Sequence, residues 1–98
     1  MKYNKENIIL KLKEIKPLLQ NNYSLKEIAL FGSYARDEQT VTSDIDILVK
    51  ADNISFTQYN QIYYLIKEKF TDIEIDLVSL NAIKPKYLER IQPEIVYA

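Results

Sequence analysis

Gly32 is the only glycine in the chain, and Ser33 follows it at once; after ten intervening residues come Asp44 and Asp46, separated by Ile45. On an extended strand, side chains i and i+2 share a side, so Asp44 and Asp46 present two carboxylates together while Ile45, Ile47 and Val49 fill the opposite side. Two adjacent like charges are unfavourable unless something positive lies between them. The chain has no histidine and no cysteine, so the natural partner is a hard cation held by oxygen alone, Mg²⁺ before Mn²⁺. Asp76 stands on the polar face of a later alternating segment. If the two strands are neighbours, three carboxylates are expected to converge on one or two metals.

A carboxylate-held Mg²⁺ keeps positions open for water and phosphate oxygens, and it neutralises charge that develops in phosphoryl or nucleotidyl transfer. Gly32 and Ser33 answer the other requirement of that chemistry. A backbone turn with free N–H groups, no side chain at its first residue and a hydroxyl at its second can cradle a polyphosphate. Arg36 offers a fixed positive fork for a phosphate, or else an ion pair with Asp37, Glu38 or a strand carboxylate. The plain alternative is that acids decorate an exposed strand and a Gly-Ser pair merely turns the chain. At average residue usage, the four-position spacing arises by chance in a chain of this length with a probability on the order of 10⁻³.

The elements that must position these residues are legible from periodicity. Ile8, Ile9, Leu12, Ile15 and Leu19 recur at helical spacing between about Asn4 and Gln20, with Asn4 placed as the cap and Pro17 expected to bend or end the helix. Leu25 to Phe31 reads as a buried strand that stops at Gly32, and Asp44 to Val49 as a second strand. Ser55 to Phe70 is an amphipathic helix with a hydroxyl cap, whose stripe of Phe56, Tyr59, Ile62, Tyr63, Ile66 and Phe70 is assigned to the core. Ile73 to Val78 alternates, with Ile75 and Leu77 on one face and Glu74, Asp76 and Val78 on the other. A short helix follows from about Pro85 to Gln92, and Glu94 to Ala98 offers an edge strand. Helix, strand, strand, helix, strand, helix predicts an α/β (α+β) architecture, a small mixed β-sheet flanked by helices, in a single domain over residues 1–98.

Composition narrows the functions further. The chain has 98 residues, 47% of them hydrophobic and 28% charged, within the ordinary globular range. Thirteen Lys and Arg against 14 Asp and Glu leave a net charge of −1, which disfavours direct nucleic-acid binding through the phosphate backbone. Without His or Cys there are no disulfides, no thiolate chemistry, no zinc site and no Ser-His-Asp triad. The longest apolar run, Ile62–Ile66, is far short of the roughly 18–20 residues of a membrane helix, so a cytoplasmic protein without membrane association is expected.

The segment Phe31 to Val49, FGSYARDEQTVTSDIDILV, resembles the signature of the DNA polymerase β-like nucleotidyltransferase superfamily. The short chain is similar to its minimal nucleotidyltransferase (MNT) branch, commonly encoded beside a HEPN-domain RNase toxin and acting as its antitoxin. The match is specific at Gly32, Ser33, Arg36, Ser43, Asp44 and Asp46; it extends to Asp76 within Ile-Asp-Leu-Val and to a tail carrying Ile91, Glu94, Val96 and Tyr97. The resemblance implies a nucleotidyltransferase fold, Asp44 and Asp46 as metal ligands, and Asp76 as the third carboxylate of the metal group, helping to deprotonate the incoming hydroxyl. It implies that Gly32 and Ser33 contact the triphosphate and that Arg36 and Ser43 belong to the nucleotide-binding set. One departure is visible: where the family often has Gly after the Ala-Arg pair, Asp37 stands next to Glu38.

What the resemblance implies for activity is Mg²⁺-dependent transfer of AMP from ATP to a tyrosine of a HEPN toxin encoded nearby. With 98 residues committed to one core, a second domain to bind a large acceptor is not expected here, so the acceptor surface is expected to come largely from another molecule. The toxin's RNase motif needs a histidine, which places a chain without one on the antitoxin side. Two other readings stay open: a non-catalytic antitoxin that occludes the toxin, and a small-molecule nucleotidyltransferase, a class that usually carries an additional helical domain.

Overall fold

The computed structural model describes residues 2–98. Its first helix, α1 (Lys5–Tyr23), begins where Asn4 accepts the Asn7 N–H at 2.8 Å while the Asn7 side chain accepts the Asn4 N–H at 2.9 Å, a reciprocal cap that satisfies two otherwise orphaned donors. The helix runs through Pro17 and does not stop there. Continuing it carries Leu19 onto the stripe of Ile8, Leu12 and Ile15, all buried. That burial offsets the hydrogen bond lost at the proline. Ser24, in the left-handed region at φ 55°, then turns the chain into the sheet.

Strands β1 (Leu25–Phe31), β2 (Ile45–Ala51), β3 (Ile75–Ser79) and β4 (Val96–Tyr97) form one four-stranded sheet in the order β3-β2-β1-β4. β1 is antiparallel to β2 and β4, whereas β2 and β3 are parallel, so the sheet is mixed as expected. The parallel pair is joined through helix α3 (Phe56–Lys69), the crossover such a pair requires. Ser55 caps α3 by accepting the Gln58 N–H at 3.1 Å. The stripe assigned to the core is only partly there: Ile62, Ile66 and Phe70 are buried and Tyr59 and Tyr63 pack at its margin, but Phe56 is 80% exposed. Phe56 is the first residue of α3, next to its cap, and does not reach the sheet.

The two faces of the sheet divide the work. Ile28, Leu30, Ile45, Ile47, Val49 and Ile75 point into the main core beneath α1 and α3. Ala29, Phe31 and Leu48 point the other way, where Ile91, Tyr87 and Leu88 of a short helix α4 (Pro85–Ile91) cover them. Helix α4 ends one residue earlier than the sequence suggests, because Gln92–Glu94 tightens into a 3₁₀ turn ahead of β4. β2 starts at Ile45, so Asp44 lies just outside the strand predicted to contain it. Among the described residues no helix is long and apolar enough to cross a membrane.

Candidate active site

The end of β1 sets the geometry. Phe31 is opposite Asp46 in the antiparallel register, and Asp46 is opposite Asp76 in the parallel one, so one row crosses three strands. Cross-strand partners share a face. It is the face that α4 covers at its Phe31 end; along the row the cover thins, so that Asp46 is half-buried and Asp76 exposed. Acidic groups from two neighbouring strands thus meet in the open, as the alternation around Asp76 predicts.

Gly32 has both of the reasons that a lone glycine after a strand suggests. Its φ of +77° lies in the region unfavourable for side chains, and a Cβ built on it would sit 2.0 Å from Asp46 Oδ2 and 2.9 Å from Asp46 Cγ. The Asp46 carboxylate therefore rests directly on the glycine backbone. The chain then enters a single helical turn, α2 (Gly32–Ala35), which puts Ser33 at the mouth of the same corner and buries Tyr34 and Ala35 as its anchor.

Electrostatics mark Asp46 as the strained member. Burial, then the facing Asp76 carboxylate, and more weakly Asp44 and Glu94, push its carboxyl up to about 6 from an ordinary value of 3.8. Asp46 and Asp76 are direct partners in the parallel register, so the Asp76 charge adds to burial in disfavouring the ionised form of Asp46. Asp44 is exposed at the entry to β2. Ser43 serves the approach: its hydroxyl accepts the Thr40 N–H at 2.9 Å, closing the turn that delivers Asp44, and it does not line the cleft.

Among the described residues no set of three or more carboxylates is gathered around one point, so the expected three-way convergence is not present: Asp46 and Asp76 face one another and Asp44 stands apart from them. Asp44 lies before strand pairing begins, where the sheet does not hold its side chain against the other two. An all-oxygen donor pair with an uncompensated negative charge suits a hard cation such as Mg²⁺, which commonly takes one or two carboxylates and completes its shell with water and phosphate oxygens.

A cleft of about 410 Å³ opens beside the acidic row, lined by Ser33, Arg36, Asp46, Tyr87, Arg90 and Glu94 among others. Arg36 donates to Glu38 at 2.8 Å and to both Glu94 oxygens at 3.0 Å. Of its two expected roles, phosphate fork or ion pair, it takes the ion pair here. Glu94 also accepts the Gly32 N–H, in the position where β4 would continue its ladder along β1. Asp37 adopts φ 57°, the left-handed conformation that a glycine at this position would favour, and pairs with Lys5 at 3.4 Å. Both acids that replace the usual glycine region thus have cationic partners. Sequence reasoning assigned no role to Glu94, Tyr87 or Arg90; the tail pattern around Ile91 and Glu94 was the available signal.

Comparison with known proteins agrees with this geometry. The family profile described as polymerase beta, nucleotidyltransferase, matches residues 13–97. MJ1379 of Methanocaldococcus jannaschii, a candidate protein adenylyltransferase, is 38% identical over 89 residues, covering 88% of this chain and 89% of that protein. The protein adenylyltransferase MntA of Thermococcus cleftensis is 31% identical over 80 residues, covering 81% of this chain and 80% of its own. In the solved complex of a tri-AMPylated Shewanella oneidensis HEPN toxin with its MNT antitoxin, the matching chain superposes with a TM-score of 0.64 at 25% identity, covering 92% of this chain and 70% of that one. Because the profile runs from within α1 to the edge strand and takes in every element that shapes the cleft, the chain belongs to the polymerase β nucleotidyltransferase family.

Proposed function

We propose that this chain is a Mg²⁺-dependent protein adenylyltransferase that moves AMP from ATP onto a tyrosine of a HEPN-domain toxin encoded nearby, and thereby neutralises it. The observation that carries this reading is the Asp46–Asp76 pair, opposite one another on parallel strands and resting on the Gly32 corner. The named relatives and the AMPylated complex support it from outside the chain.

The chemistry follows from the residues in place. Ser33, by its hydroxyl and backbone N–H, receives the triphosphate at the mouth of the Gly32 corner. Asp46, with Asp44 just ahead of its strand, would hold Mg²⁺, which when bound neutralises charge developing on the phosphates. The acceptor phenol attacks the α-phosphorus, the bond to the bridging α–β oxygen breaks, and pyrophosphate leaves. Asp76, the exposed member of the pair, takes the phenolic proton. The acceptor has open access because Asp76, at the far end of the row from α4's contact with Phe31, is exposed.

Incubation with ATP, Mg²⁺ and the HEPN protein encoded nearby should raise the intact mass of that protein by one or more AMP units, and Asp46→Asn should abolish the gain. Wild type and variant equally inert would contradict the proposal. Toxin protection that survives Asp44→Asn with Asp46→Asn would establish occlusion in place of catalysis.

A further inference from the structure

The cleft beside the acidic row holds two arginines and no lysine. Arg36, the cation that the motif alone assigns to phosphate, is already neutralised by Glu38 and by both oxygens of Glu94. Arg90 lines the same cleft from α4 and has no carboxylate partner among the described residues. Its guanidinium lies 5.0 Å from the centroid of the Tyr87 ring, a cation–π contact that sets its orientation without consuming its donors. Tyr87 in turn meets Phe31 edge-on, with ring centroids 6.5 Å apart, and Phe31 is the residue before Gly32. Packing therefore links the Arg90 fork to the corner itself.

From this we infer that Arg90 is the polyphosphate-binding cation of the cleft, gripping the phosphoryl groups that leave as pyrophosphate. The inference rests on the adenylyltransferase reading and extends it to a residue outside the Gly-Ser and Asp-x-Asp motif. A triphosphate brings several negative charges to a row already crowded with carboxylates. The metal accounts for part of that charge, and the free guanidinium, with its planar donor fork, is suited to the rest. Arg90 is exposed, so removing it leaves the core intact.

The test is calorimetric titration of ATP and of AMP, each with Mg²⁺ and without acceptor, into the full chain and into Arg90→Ala and Arg90→Lys. Arg90→Ala should weaken ATP binding about tenfold or more, as expected for losing hydrogen bonds to a charged group. It should leave AMP binding within about twofold and the melting temperature unchanged, and Arg90→Lys should recover part of the loss. ATP affinity equal in wild type and Arg90→Ala would overturn the role of Arg90 while the adenylyltransferase reading stands. Equal weakening of ATP and AMP would overturn the assignment to the leaving phosphates. Failure of the wild-type chain to bind ATP with Mg²⁺ would overturn both.

Discussion

Asp46→Asn should stabilise the protein at neutral pH while abolishing transfer. The Asp46 carboxyl is raised from 3.8 to about 6 by burial and by its acidic neighbours, a difference of about two units. At about 1.4 kcal/mol per unit this sets an upper bound of about 3 kcal/mol. Because the group is half-buried and partly screened by solvent, about 1–2 kcal/mol is the working figure. The sign follows from which state holds the proton. With its folded value above its unfolded one, the folded state binds more protons between about pH 4 and 6, so stability falls as pH rises through that window and the cost is fully present above it. Asparagine carries no such charge and can donate to Asp76. The assay is thermal unfolding of wild type and variant from pH 4 to 8 without divalent cations. For a domain of this size the variant should melt about 5–10 °C higher at pH 8, and the gap should close as pH drops below the window. Added Mg²⁺ should raise the wild-type melting temperature and leave that of the variant unmoved. A variant that melts at or below wild type at pH 8 would refute the reasoning.

Other substitutions probe the frame around that pair. Gly32→Ala places a Cβ on the Asp46 carboxylate and strains the backbone at φ +77°; it should cost about 1–3 kcal/mol in denaturant unfolding and at least about a hundredfold in transfer rate, since the carboxylate must move by an ångström or more. Glu94→Gln keeps an acceptor for the Gly32 N–H but loses its charge against Arg36, and should lower stability by about 1 kcal/mol, measured by urea unfolding. Ile66→Ala, fully buried between α3 and the sheet, should cost about 2–5 kcal/mol by the same measurement, whereas Phe56→Ser, at an exposed position, should stay within about 0.5 kcal/mol of wild type.

How much of this was readable beforehand depends on whether local pattern or tertiary contact decides each feature. β1 ends at Phe31 as the apolar run before Gly32 predicts, and Asn4 and Ser55 cap their helices as their side chains dictate. The facing of Asp46 and Asp76 was legible as a condition: alternation gives the polar faces, but only the parallel register aligns the two residues. Pro17 left two outcomes open, a bend or an end, and it is the burial of Leu19 in the core, a tertiary effect that no local rule contains, that favours continuation. Phe56 misleads, since it fits the helical spacing yet sits where α3 has not reached the core. The capture of Arg36 by Glu94 joins residues 58 positions apart and depends on the 3₁₀ turn before β4, so the sequence motif left Arg36's partner undetermined. The same holds for Tyr87 and Arg90, which come into the cleft only because α4 packs on Phe31.

The most direct measurement follows the label from two forms of ATP, one carrying radioactive phosphorus at the α position and one at the γ position, after incubation with Mg²⁺ and the proposed HEPN-toxin partner. The expected result is α-label bound covalently to that protein, no γ-label, and neither with Asp46→Asn. Label from the γ position, or α-label undiminished in Asp46→Asn, would contradict nucleotidyl transfer by the Asp46–Asp76 pair.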